Sequence, residues 1–197
     1  MNLPNKLTLF RIILVPIMVL VWLFPYQYFS ISFIYFEFGS INISLLNLIV
    51  LFIFVLASFT DYLDGRIARK KNMITTFGKF FDPIADKLLV NSTLIILGIK
   101  GMIPAVCVII MVCRDLIVDG CRMIASQKGV VIAAGLLGKT KTVLQMSAII
   151  VVLLNNFPFE MWSLPINEIL IWFASFVSIV SGYSYFQQIK DYIFESM

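Results

Sequence analysis

The chain has 197 residues, 60% of them hydrophobic and 13% charged, with a formal net charge of +4 and a mean hydropathy of +0.98. That balance excludes an ordinary water-soluble globular domain and makes lipid the solvent for most of the chain. The complete lack of histidine excludes imidazole general bases, Ser-His-Asp and Cys-His arrangements and His-rich metal centres, so carboxylates must carry any acid–base chemistry.

A hydrocarbon core about 30 Å thick takes roughly 20 apolar helical residues per crossing. Apolar stretches lie near residues 7–28, 42–63, 80–99, 103–125, 141–156 and 164–188. They predict an all-α polytopic membrane protein of six transmembrane helices, with short loops and a short N-terminal interfacial segment. The first apolar run follows Lys6 and Arg11, with no small-residue cleavage pattern before Tyr28, and reads as a retained span. No soluble domain, linker or repeat interrupts the chain, so residues 1–197 are expected to form a single membrane domain. Cys107, Cys113 and Cys121 share one apolar stretch without a C-x-x-C pair and read as small buried residues.

With the N-terminus in the cytoplasm, every Lys and Arg except Lys100 falls toward that side, while Glu37, Glu160 and Glu168 collect on the other. This asymmetry predicts a multi-pass protein of the cell membrane with both termini cytoplasmic.

Along the chain, the first polar constellation is residues 61–86, DYLDGRIARKKNMITTFGKFFDPIAD, which puts Asp61, Asp64, Asp82 and Asp86 at the cytoplasmic ends of two successive helices. An aspartate at the centre of a span costs about 2.5 to 3.5 kcal/mol on insertion scales, so such groups face a cavity and have partners. Asp61 and Asp64 are three residues apart and Asp82 and Asp86 four apart. Each pair shares one helix face, and two facing helices can converge all four carboxylates. Clustered like charges repel unless a cation compensates, and oxygen-only ligands favour Mg²⁺ or Mn²⁺ over zinc or copper.

Gly65 and Ala68 continue the Asp61 and Asp64 face, where missing side chains serve either helix packing or the approach of a substrate. Arg69 can hold a phosphate bidentately, whereas Arg66, Lys70 and Lys71 mark the membrane boundary. Pro83 suits the first turn of a helix, so Asp82 is expected to act partly as its N-cap, a structural role that competes with metal binding and can coexist with it. A second polar set follows: Asp115, Asp119 and Arg122 on one face of the fourth helix, Arg114 beside them, and Lys139 and Lys141 opening the fifth. Internal salt bridging with boundary anchoring is one reading of this set; an anion pocket with Arg114 and Lys139 as its ligands is the other.

The spacing Asp61-x-x-Asp64-Gly65-x-x-Ala68-Arg69, eight residues, Gly78-x-x-x-Asp82-x-x-x-Asp86 resembles the signature of the class-I CDP-alcohol phosphatidyltransferases at every position. The NLPNKLTLFR start and the RDLIVDGCRMIA and GLLGKTKT segments extend the likeness over most of the chain. The resemblance implies that Asp61, Asp64 and Asp82 bind two divalent metals, Mg²⁺ or Mn²⁺, and that Asp86 completes the cluster and is the general base. It likewise implies that Gly65, Arg69, Thr75 and Gly78 surround the cytidine diphosphate of CDP-diacylglycerol, facing the cytoplasm.

Asn5 and Thr8, before the first span, are further candidates for the lipid-linked nucleotide, with a plain interfacial helix start as the competing reading. The implied acceptor is sn-glycerol 3-phosphate, a small dianion that Arg114, Lys139, Lys141 and Arg122 suit. The resemblance also implies a homodimer in the lipid bilayer, and nothing points to nucleic acid. Rivals are the same nucleotide site with phosphatidylglycerol, inositol phosphate or serine as acceptor, and a divalent-cation transporter, since intramembrane aspartates also line ion pathways.

Overall fold

The computed structural model describes residues 2–38, 41–70, 75–127 and 135–194, without the side chains of Phe38, Arg69, Lys79, Gln127, Ile189 and residues 191–194. Among the described residues six α-helices follow one another: α1 (Leu3–Leu23), α2 (Leu45–Lys70), α3 (Thr76–Ile99), α4 (Ala105–Gln127), α5 (Leu136–Leu153) and α6 (Ile166–Phe194). The chain is an all-α membrane protein. α1, α2, α5 and α6 are long and apolar enough to cross a bilayer. α3 and α4, with 24 and 23 residues, have the length but carry Asp82, Asp86 and Lys87 in one, and Arg114, Asp115, Asp119 and Arg122 in the other. Large apolar side chains such as Leu20, Phe52, Ile99, Leu116 and Phe176 point outward, as expected where the surroundings are hydrocarbon rather than water.

The helices fall into two compact units, residues 1–97 with 153–164, and residues 98–152 with 165–197. In the first unit, α1 has Pro4 in its opening turn, where a missing N–H has no helical partner to lose. Its buried residues Pro4, Asn5, Thr8, Arg11, Val15, Met18 and Trp22 recur every three or four positions and form one stripe. The NLPNKLTLFR segment is therefore continuous with the first helix, and its polar residues face inward.

α2 packs on α1, burying Leu46, Val50, Phe54, Ala57, Thr60 and Asp64 on one face. The α1 stripe also meets α3, where Thr93 points its hydroxyl at the Met18 sulfur, 3.8 Å away. Between α1 and α2 lies a feature the sequence did not suggest, an antiparallel hairpin of β1 (Tyr35–Phe38) and β2 (Ile41–Ser44), pairing Phe36 with Ile43 and Glu37 with Asn42. Ile41 and Ile43 are buried and Asn42 is exposed, the alternation of a strand with one covered face. The Asn155 side-chain amide donates to the Asn42 carbonyl at 3.3 Å and ties the 153–164 segment to the hairpin.

Pro83 lies inside α3 rather than at its start, which corrects the expectation that Asp82 caps a helix. The true N-cap is Thr75, whose hydroxyl accepts from the Gly78 N–H at 3.0 Å. It satisfies one of the donors that a helix start leaves without an intrahelical partner. Pro83 sits far enough along that the helix is already established, and Asp82 is an interior residue of α3.

In the second unit, Gly101 adopts φ +68° in the turn before α4, a conformation that favours glycine. α4 packs on α6 through Cys107, Met111, Asp115, Val118, Cys121 and Ala125 on α4 and Ala174, Ser178 and Ser181 on α6. The approach is close: a Cβ on Gly182 would stand 3.0 Å from the Arg114 Cγ. Small residues at such a seam let polar side chains run between helices without lipid contact.

Candidate active site

The polar atoms of the first unit are organised by α1. Its residues Asn5, Thr8 and Arg11 are spaced by three and lie on the buried stripe. Asn5 Oδ1 accepts from the Thr75 hydroxyl at 2.8 Å. The Thr8 hydroxyl donates to Asp82 Oδ1 at 2.6 Å, and reaches the Pro4 carbonyl of its own helix at 3.2 Å. The Arg11 guanidinium, with no exposed surface, donates through Nη1 to Asp61 Oδ1 and through Nη2 to Asp64 Oδ2, the latter at 2.6 Å. One helix face thus reaches both acid-bearing helices, α2 through Arg11 and α3 through Thr8.

The carboxylates differ in their surroundings. The Asp64 side chain is 3% exposed, whereas that of Asp61 is 38% exposed and open on one side. Asp82 and Asp86 are half-buried, one turn apart on α3. A Cβ added at Gly78 would lie 3.3 Å from Asp82 Oδ2, 3.4 Å from Thr75 Oγ1 and 3.7 Å from Asn5 Oδ1. Glycine here lets three oxygens approach the backbone of α3 closely, where a side chain would press on the Asp82 carboxylate. The donor set, oxygen throughout, fits a hard divalent cation. Among the described residues no three acids or cysteines converge on one point; the structure presents the acids as an Arg11-held pair on α2 and, on α3, Asp82 held by Thr8 with Asp86 one turn further on. Gly65 and Ala68 lie on α2 beyond Asp64, both half-buried. The Arg69 side chain lies outside the described part.

The second unit holds a cluster of opposite balance. Lys141 Nζ, nearly buried, donates to both oxygens of Asp115 at 2.7 and 2.8 Å. Arg114 Nη1 donates to the same carboxylate at 3.0 Å and Nη2 to the Ser181 hydroxyl at 2.5 Å, while its buried Nε has no hydrogen-bond partner. Arg122 Nη2 donates to the Tyr185 hydroxyl at 2.8 Å. The Arg114 and Arg122 guanidiniums lie 5.6 and 5.2 Å from the centre of the Tyr185 ring, within cation–π range. Lys139 is exposed on the first turn of α5. Of the basic residues singled out from the sequence, Arg114 and Lys141 share one acid, Arg122 joins them through Tyr185, and Lys139 stands at the surface. Internal pairing is thus real here, with two cations meeting the Asp115 carboxylate and Asp119 half-buried one turn further along α4.

Two groups of residues escaped the sequence reading. The charge asymmetry counts Arg11 only among the cytoplasmic-side cations, although its register with Asn5 and Thr8 is a visible signal. Ser181 and Tyr185 on α6 carry no charge, and only their place on the small-residue face of that helix distinguishes them.

The chain belongs to the CDP-alcohol phosphatidyltransferase family, whose model matches residues 1–180 and so crosses both units. This is a family of membrane transferases that use a divalent metal. The chain is 43% identical over 187 residues to the CDP-diacylglycerol–glycerol-3-phosphate 3-phosphatidyltransferase of Bacillus subtilis, covering 95% of this chain and 94% of that protein. It is 38% identical over 192 residues to the enzyme of the same name from Rickettsia felis, covering 97% of each. The namesake from Mycoplasma genitalium is 43% identical over 136 residues, 68% of this chain and 55% of that protein.

Proposed function

We propose that this protein transfers the phosphatidyl group of CDP-diacylglycerol to the 1-hydroxyl of sn-glycerol 3-phosphate, giving phosphatidylglycerophosphate and CMP for phospholipid biosynthesis. The observation that carries the reading is the set of signature acids on α2 and α3, gathered by one polar face of α1, in a chain alike end to end to enzymes named for this reaction.

In the reaction Asp86 accepts the proton of the glycerol 1-hydroxyl as that oxygen attacks the phosphorus bearing the diacylglycerol. The new P–O bond forms as the bond to the bridging diphosphate oxygen breaks, and the electron pair leaves with CMP. Asp61, Asp64, Asp82 and Asp86 would hold two divalent ions, Mg²⁺ or Mn²⁺, which would supply charge neutralisation of the diphosphate that otherwise repels the nucleophile. Gly65, Arg69, Thr75 and Gly78 surround the cytidine diphosphate, with Asn5 and Thr8 fixing the opening turns of α1 beside it. Arg114, Lys139, Lys141 and Arg122 hold the acceptor's phosphate, a dianion that needs fixed cationic donors.

The charge asymmetry along the sequence supports a site facing the cytoplasm with both termini on that side, and the protein functions as a homodimer within the cell membrane.

The test is CMP release from CDP-diacylglycerol by purified protein with Mg²⁺ or Mn²⁺, offering glycerol 3-phosphate, inositol phosphate, serine and phosphatidylglycerol in parallel. Release with glycerol 3-phosphate alone is the expected result. Release with another acceptor would keep the class and overturn the acceptor. No release with any, alongside metal uptake into sealed vesicles, would replace the enzyme with a transporter.

A further inference from the structure

Arg11 is the most deeply buried charged side chain among the described residues of the first unit, with no exposed surface, and it lies outside the spaced aspartate signature, at the end of the NLPNKLTLFR segment. A lone guanidinium at membrane depth is costly unless matched. Here it is matched twice, by Nη1 on Asp61 and Nη2 on Asp64. The two acids stand three residues apart on α2, so their like charges tend to turn the side chains away from each other. A planar fork with two parallel donors opposes that tendency in a way a point charge does not. The fork takes Oδ1 of Asp61 and Oδ2 of Asp64, one oxygen from each carboxylate, and leaves the other oxygen of each outside the fork.

We infer that Arg11 is a positioning residue of the metal site: it sets the separation and orientation of Asp61 and Asp64 from behind, so that their remaining oxygens present a preformed pair to a divalent cation. The inference rests on the reading of these aspartates as metal ligands. Two effects oppose each other. The guanidinium charge repels an incoming cation, but its hydrogen bonds hold two carboxylates together against their own repulsion. The second effect dominates because the positive charge is delocalised and already faces two anions. Outer partners of ligating groups typically change metal affinity by about 10–100-fold when removed.

The experiment measures Mn²⁺ binding to the full-length protein in detergent, by the electron paramagnetic resonance signal of free Mn²⁺, with neither nucleotide nor acceptor present. Wild type, Arg11→Met and Arg11→Lys are compared, with helical circular dichroism and elution volume as checks on folding. The expected result is about 10–100-fold weaker binding in Arg11→Met and a clear weakening in Arg11→Lys, which keeps the charge and loses the fork. Where Arg11→Met does not fold, Arg11→Lys decides. Wild-type affinity in Arg11→Lys, or tighter binding in either variant, would overturn the inference, the latter by showing that the guanidinium competes with the metal. A wild type that binds no Mn²⁺ would overturn the reading of the aspartates themselves, and the inference with it.

Discussion

The polar clusters of the two units are near inversions of each other. In the first, one cation, Arg11, is shared by Asp61 and Asp64, with Asp82 and Asp86 on the adjoining helix. In the second, one carboxylate, Asp115, is shared by Arg114 and Lys141, with Arg122 one aromatic ring away. Both are buried among membrane helices, where a charge without a partner is expensive, and both are only partly balanced. The residue of negative charge in one suits a cation, and the residue of positive charge in the other suits a phosphate. The proposed division of labour rests on this opposite balance, with a cation for the first cluster and a phosphate for the second.

Substitutions that alter one cluster and spare the other can break this comparison. The largest effect is expected from Asp86→Asn, which removes the proposed proton acceptor: kcat should fall by about 10² to 10⁴-fold, while CDP-diacylglycerol binding, followed by equilibrium titration, stays largely intact. Retained turnover would take the role of base away from Asp86.

Next is Asp115→Ala, which leaves Arg114 and the buried Lys141 without their shared acid. A loss of about 3 to 5 kcal/mol is expected for breaking a buried pair in this way, read as a lowered unfolding temperature in detergent. An unchanged unfolding temperature would mean that water or lipid headgroups already compensate these cations.

The smallest is Thr8→Val, which keeps the shape and deletes the hydroxyl that donates to Asp82. A hydrogen bond to a charged group contributes about 1.5 to 3 kcal/mol, so kcat/KM for CDP-diacylglycerol should drop at least about tenfold, with no change in the KM for the acceptor. An equal effect on both substrates would mean that the substitution disturbs more than one cluster.

Much of this arrangement is legible in the sequence. Acids at spacings of three and four within apolar runs have few structural explanations, so Asp61, Asp64, Asp82 and Asp86 stood out, as did the basic residues that open α5. The six helices lie close to the apolar stretches, with ends shifted where polar residues continue the helix. α2 runs on through Asp61, Asp64 and Gly65 to Lys70, because its polar end is carried on a face already turned toward α1.

What was not legible depends on pairing across the chain. Arg11 looked like a boundary charge because Lys and Arg near a span end usually are; its bonds reach residues 50 and 53 positions away. Pro83 was misplaced because the preference of proline for helix starts is a local rule, whereas α3 had already been opened by Thr75 and its bonds to Asn5 and Gly78. The hairpin was hidden by its length, with strands of four residues each, too short for alternation to stand out beside the apolar run that follows.

The central claim is a division of labour, with metal and nucleotide on the acid-rich cluster and the acceptor's phosphate on the base-rich one. The most direct test is steady-state kinetics of Arg114→Ala against wild type, varying glycerol 3-phosphate and Mg²⁺ separately. A KM for glycerol 3-phosphate raised about 10–100-fold, in line with the loss of a charge-assisted hydrogen bond, with the half-activating Mg²⁺ concentration unchanged, is the predicted result. An unchanged KM for glycerol 3-phosphate, or a shift in the Mg²⁺ requirement instead, would contradict it.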